Sequence, residues 1–165
     1  MRLLLALTLV LSLAACQPDA DDAAPAETPT GAETPPTSSA VTVRDPFVTA
    51  APEGGTGGVF LTLVGGAEAD TLVGARSSAA ARVEVHETYD GGDGLRGMRE
   101  VEGGLAVPTG STVELRPGSY HIMLIGLTRT LAEGDTLDLD LDMARAGAVP
   151  VRVPVRSLRD LPAPE

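Results

Sequence analysis

Residues 136–142 read TLDLDLD and residues 149–156 read VPVRVPVR. In the first stretch Leu137, Leu139 and Leu141 fall on one side of an extended chain and Asp138, Asp140 and Asp142 on the other, because successive side chains of a strand alternate between faces. In the second, Val149, Val151, Val153 and Val155 share the inward face. Pro150 and Pro154 each remove a backbone donor, so this strand is expected at a sheet edge. Working outward, short apolar runs of the same period recur from residue 41 onward, separated by Gly, Pro and Asp clusters. Strands are expected at 41–50, 59–64, 71–75, 82–87, 95–101, 111–115, 120–127, 136–142 and 149–155. GGDG at 91–94, PTGS at 108–111, RPGS at 116–119 and EGD at 133–135 supply the residues that turns between them require. The best helical stretch, 77–81, is a turn or two at most. The pattern predicts an all-β domain, a Greek-key sandwich or barrel of eight or nine short strands. The acidic row of 136–142 is read as a solvated strand face. An EF-hand calcium loop needs Gly at its sixth position, where Met143 stands here.

The whole chain has 165 residues, with 23 Asp and Glu against 12 basic residues, all of them Arg. A net charge of −11 opposes the displacement of counterions from phosphates that nucleic-acid binding requires, and that class is excluded. One Cys leaves no intrachain disulfide, no Cys-rich zinc site and no Cys-X-X-Cys chemistry. Chemistry is left to His86, His121 and three internal methionines, Met98, Met123 and Met143.

Residues 1–16, MRLLLALTLVLSLAAC, place one Arg before an apolar and small-residue run. This is the layout of a secretory signal peptide. The run of 13 residues from Leu3 to Ala15 is short of the ~20 that a spanning helix needs. Leu13-Ala14-Ala15-Cys16 resembles the lipobox of bacterial lipoproteins, which implies cleavage after residue 15, lipidation of Cys16 and a membrane-anchored protein of the bacterial periplasm or envelope. Residues 17–40 carry five acids, no base and no large apolar side chain, the composition of a disordered tether. The expected organisation is a leader at 1–15, lipidated Cys and linker at 16–40, a β domain at 41–158 and a short tail at 159–165. With Cys16 consumed by lipid the exported domain has no thiol, so any soft ligand in it must be methionine.

The segment YHIMLIGL, 120–127, puts His121 and Met123 on one strand face, with Ile122 and Leu124 on the other. His86 ends RVEVH with the parity of Arg82 and Glu84, away from Val83 and Val85. It therefore belongs to the polar face or the strand's end and not to the core. Met98 sits between Gly97 and Arg99, a poor setting for a purely structural methionine, whereas Met143 has the parity of Leu137–Leu141 and reads as core. Imidazole with thioether is a soft, neutral donor set suited to Cu(I), whereas zinc favours thiolate or carboxylate and calcium needs oxygen.

At these residues the chain resembles the periplasmic copper(I) chaperones of the PCuAC type, whose motif is a His, a Met about a dozen positions on, and a His-X-Met further along. Here these are His86, Met98 and His121-Ile122-Met123, within RVEVHET, GMREV and LRPGSYHIMLIGL, followed by LAEGDTLDLDL. The likeness spans 41–156. The Met98 to His121 interval is slightly longer than the family's, and the C-terminus, SLRDLPAPE, lacks the His- and Met-rich extension of some members. The resemblance implies a cupredoxin-like sandwich holding Cu(I) on His86, Met98, His121 and Met123 in a shallow, exposed site. It also implies that the ion is passed to an apo copper-receiving protein such as a cytochrome oxidase subunit; the chain itself is expected to be a monomer. No catalytic constellation is present, and GGTGG at 54–58 lacks the Lys of a phosphate loop. Rival readings are a copper-sequestering protein, an Ig-like interaction lipoprotein without metal, and an electron-transfer cupredoxin. The last lacks the Cys that a blue-copper centre needs.

Overall fold

The computed structural model describes residues 40–92, 94–157 and 159. The leader, Cys16, the tether, and the tail beyond residue 159 lie outside the described residues.

Ten strands follow one another: β1 Thr42–Thr49, β2 Thr56–Val64, β3 Asp70–Arg76, β4 Ala80–Asp90, β5 Arg96–Glu100, β6 Leu105–Val107, β7 Thr112–Leu115, β8 Tyr120–Leu127, β9 Thr136–Met143 and β10 Gly147–Arg156. All nine expected strands are present. The tenth, β6, is a three-residue strand paired with β3, in the interval between the strands expected at 95–101 and 111–115. Of the stretch at 77–81, residues 77–79 form the turn between β3 and β4, where Ser77 Oγ donates to the Asp138 carbonyl at 2.8 Å, and Ala80 and Ala81 already belong to β4.

The strand order is β5-β4-β8-β7-β2-β1-β10-β9-β3-β6. The first six strands and the last four form two sections joined by a short parallel pairing of β1 with β10, at Val48↔Val155 and Thr49↔Arg156. One apolar cluster draws on both, with Val59, Leu63, Ile122 and Leu124 from the first section and Leu72, Val107, Leu139 and Val153 from the second. Leu137, Leu139 and Leu141 are buried and Asp138 and Asp140 exposed, as their alternation requires.

The edge position expected for β10 is corrected, since β10 lies between β9 and β1. Its register with β9 runs from Gly147 to Pro154, and β1 joins only at Val155 and Arg156. Both prolines therefore lie where the strand has one described neighbour, and the missing N–H groups cost the ladder nothing on the other side.

β1 contains a bulge between Arg44 and Phe47, where Asp45 takes φ 48°. One extra residue inverts the alternation. Val41 and Val43 thus face inward before the bulge and Val48 after it, while Phe47 is delivered to the outer face opposite Phe60.

Candidate metal centre

Strands β4 and β8 are antiparallel in a register that sets His86 opposite His121 and Glu84 opposite Met123. β5 folds back on β4 and sets Met98 opposite Thr88. Opposed residues of an antiparallel pair share a face, as do residues two apart on one strand. The pairing therefore gathers His86, Met98, His121 and Met123 on one outer face. The alternate residues Val85, Ile122 and Leu124 enter the core, which locks the register, because a slip by one residue would exchange the two sets.

The imidazole centroids of His86 and His121 are 5.9 Å apart, with the rings at 66°. Met98, His121 and Met123 border a depression of about 320 Å³ walled by Thr88, Phe60 and the Pro117-Gly118 turn. Gly58 of β2 faces Met123 across the register. A Cβ there would come within 3.1 Å of the Phe60 ring, and that ring flanks His121 at 6.3 Å. The depth is graded: His121 is only 4 % exposed, Met123 half-buried and Met98 61 % exposed. The shallow, exposed site that the resemblance implies therefore holds at Met98 and is corrected at His121, which is buried.

Hydrogen bonding identifies which nitrogen of each ring is bare. His121 Nδ1 lies 3.1 Å from the Ser119 carbonyl oxygen. A carbonyl only accepts, so Nδ1 carries the proton and the lone pair of the neutral ring is on Nε2. His86 Nε2 lies 2.8 Å from Glu84 Oε2, so Nε2 donates and the lone pair is on Nδ1. Among the described residues, the buried side-chain polar atoms without a hydrogen-bond partner are His86 Nδ1, Thr88 Oγ1 and His121 Nε2. Unpaired buried polar groups are scarce in folded proteins. Here all three belong to one face, and two are the nitrogen lone pairs that a metal would take.

Burial is the main cause that lowers the His121 pKa below 6.5. The nearby His86 adds to the effect, and the bond to Ser119 opposes it. The neutral form of the ring, with its lone pair on Nε2, is thereby favoured. No group of three or more His, Cys, Asp and Glu converges among the described residues. What shares this face is two bare imidazole nitrogens and two thioethers, a neutral soft set without thiolate or carboxylate; Met98, His121 and Met123 border the depression, and His86 adjoins it through its ring contact with His121. Met143 is buried on β9, away from this face, as expected.

Three features of the site are absent from the sequence reading. Glu84 bonds His86, the Thr88 hydroxyl is buried beside it, and Phe47 and Phe60, the two phenylalanines of the whole chain, meet at 5.2 Å beside His121. Parity marks the first two, since residues 84, 86 and 88 share a face. Phe60 is connected to the site only through pairing between distant strands.

Residues 41–155 match the family described as "Putative lipoprotein LpqE-like". A "Putative lipoprotein" of Leifsonia xyli subsp. xyli is 41 % identical over 85 residues, 52 % of this chain and 51 % of that protein, so the chain spans about half the length of this curated relative. The copper-bound PCuAC domain of PmoF2 is similar in fold, with a TM-score of 0.58 and 22 % identity over 71 % of this chain and 92 % of that domain. Apo-DR1885 from Deinococcus radiodurans is 27 % identical with a TM-score of 0.54, over 90 % of this chain and 97 % of that one. Its CuI form gives 26 % and 0.55, over 77 % and 83 %.

Proposed function

The chain belongs to the LpqE-like lipoprotein family, and from that premise we propose that it is an envelope copper chaperone that carries Cu(I) as cargo on His86, Met98, His121 and Met123. The observation that carries this reading is the pair of buried, partnerless imidazole nitrogens on the face that also bears two thioethers. Cu(I) is a soft ion that suits such neutral donors. Neither a thioether nor a neutral imidazole must lose a proton to bind, and thioethers resist the oxidation that removes thiolates outside the cell. The copper-bound PmoF2 domain and CuI-DR1885 support the choice of ion.

A carrier must also release its metal, and the gradient of exposure suits that task. The imidazole of His121 is enclosed, whereas Met98 projects from the outermost strand β5 and is the ligand an incoming recipient exchanges first. The recipient is an exported apo copper protein, with an oxidase subunit as the instance suggested by family analogy. The organisation that goes with this role is a leader at 1–15, a lipid on Cys16, a tether to residue 40, the copper domain at 41–158 and a tail at 159–165. Several acyl chains, at ~0.8 kcal/mol per buried methylene, hold such a protein durably on a membrane.

Titration of Cu(I) against a chromophoric Cu(I) chelator tests the site: one ion per chain is expected, with affinity strongly reduced by replacing His121 or Met123. Unchanged affinity in both variants refutes the assignment. Mixing the loaded protein with an apo oxidase copper domain then separates delivery from storage, since only a chaperone gives up its ion to that acceptor.

A further inference from the structure

We infer that Glu84 is the positioning residue of this centre: its carboxylate holds His86 in the tautomer that presents Nδ1 to the metal and places a negative charge beside an otherwise neutral donor set. The inference rests on the proposal that His86 ligates Cu(I). Glu84 precedes His86 by two residues on β4, shares its face, and stands opposite Met123 on β8. Both carboxylate oxygens are engaged. Oε2 accepts from His86 Nε2 at 2.8 Å and Oε1 accepts from Arg82 Nη1 at 2.7 Å. The Glu84 and His86 side chains are only 20 % and 13 % exposed, whereas Arg82 is 66 % exposed. The carboxylate is thus held from the solvent side by a cation and directs its other oxygen inward at the ring.

The consequence for the metal follows from the two tautomers of a neutral imidazole. With an acceptor at Nε2 the proton stays there and Nδ1 keeps its lone pair. Without it, the proton can occupy Nδ1 and must shift to Nε2 through solvent before a metal binds at Nδ1. The charge acts in the same direction, because two imidazoles and two thioethers leave a bound Cu(I) with its full positive charge, and the carboxylate adjoining His86 offsets it. Outer partners of this kind contribute about 10- to 100-fold to metal affinity.

The test uses the full chain carrying Glu84→Ala or Glu84→Gln, with a thermal melt of each apo form to establish folding. At pH 8, long-range proton–nitrogen correlation spectra of apo protein are expected to show His86 protonated on Nε2 in wild type and at least partly on Nδ1 in Glu84→Ala. Cu(I) affinity in Glu84→Ala is expected to fall about 10- to 100-fold. Glu84→Gln retains an acceptor of the same size and is expected to restore the tautomer but only part of the affinity. A Glu84→Ala spectrum like that of wild type, or Cu(I) affinity within twofold of it, overturns the inference. If wild type itself binds no Cu(I), the proposed function fails, and the apo spectra still decide whether Glu84 orients the ring.

Discussion

Replacing His121 with leucine is expected to stabilise the apo protein while abolishing its response to copper. His121 is almost wholly buried, and its Nε2 has no hydrogen-bond partner. Leaving such an atom unsatisfied costs about 1–3 kcal/mol. Leucine has similar bulk and no polar atom, so the substitution recovers that cost. It forfeits the 3.1 Å bond to the Ser119 carbonyl, worth about 0.5–1.5 kcal/mol net. Ser119 is only half-buried, so water can take the place of the ring there. The balance is a gain of about 1 kcal/mol, or ~4 °C in Tm for a domain of this size. Wild type in turn gains about 2.7 kcal/mol when free Cu(I) stands at one hundred times Kd, and the variant gains nothing.

Acidification supplies an independent arm of the same experiment. Burial holds the folded His121 pKa below 6.5, so on lowering the pH the unfolded chain takes up a proton that the folded ring refuses. Its contribution to wild-type stability is therefore intact above pH 6.5 and declines as the pH falls from there through the lower folded pKa. Leucine has no proton to take, and its advantage should widen over that range. Thermal melts of both apo proteins between pH 5 and 8, repeated with Cu(I) under reductant at the upper end, provide the measurement. An apo variant at least 1 kcal/mol less stable than wild type, or one still stabilised by Cu(I), would show that the buried nitrogen is not a vacant ligand.

The two thioethers should separate stability from binding. Met98→Ala, at a position 61 % exposed, is expected to change stability by no more than ~0.5 kcal/mol while weakening Cu(I) binding. Met123→Ala, on the more enclosed strand β8, should lose both, and melts paired with Cu(I) titrations distinguish the cases. Far from the site, Asp70 Oδ1 accepts from the amides of Thr71 and Arg145 at 2.7 and 2.8 Å, and Oδ2 accepts from that of Ala146 at 3.0 Å, tying β3 to the β9–β10 turn. Asp70→Ala should cost about 3 kcal/mol in denaturant unfolding and Asp70→Asn less, because bonds to a charged acceptor are worth ~1.5–3 kcal/mol each and do not add fully. Burial of Asp70 opposes ionisation, but those amides and the Arg145 charge outweigh it and lower its pKa below 3.8. Its contribution is therefore present above pH 3.8 and disappears as the pH falls through the folded value. Labelled fatty acid should be incorporated by wild type and not by Cys16→Ser, and an unlabelled wild type refutes the lipid anchor.

How far the chain could be read beforehand depends on the kind of order each feature carries. Strand faces obey a period of two, so the burial of Leu137, Leu139 and Leu141 and the common face of His121 and Met123 were legible from spacing alone. β6 was not, because Leu105-Ala106-Val107 is too short to show a period and becomes a strand only by pairing with β3. The prolines of β10 point to a sheet edge, and through Pro154 the strand does have a single described neighbour. The inference to a sheet edge failed because that condition holds only up to Pro154, and β1 arrives at Val155. Depth at the candidate site is not legible for a related reason. Parity says which way His121 points, whereas its enclosure depends on Phe60, which comes from β2 some sixty residues earlier and is supported by a Phe47 that the bulge in β1 turns outward. A donor set can therefore be recognised from residue types and intervals. The graded enclosure of its members, with His121 buried and Met98 exposed, arises only when distant strands close around it.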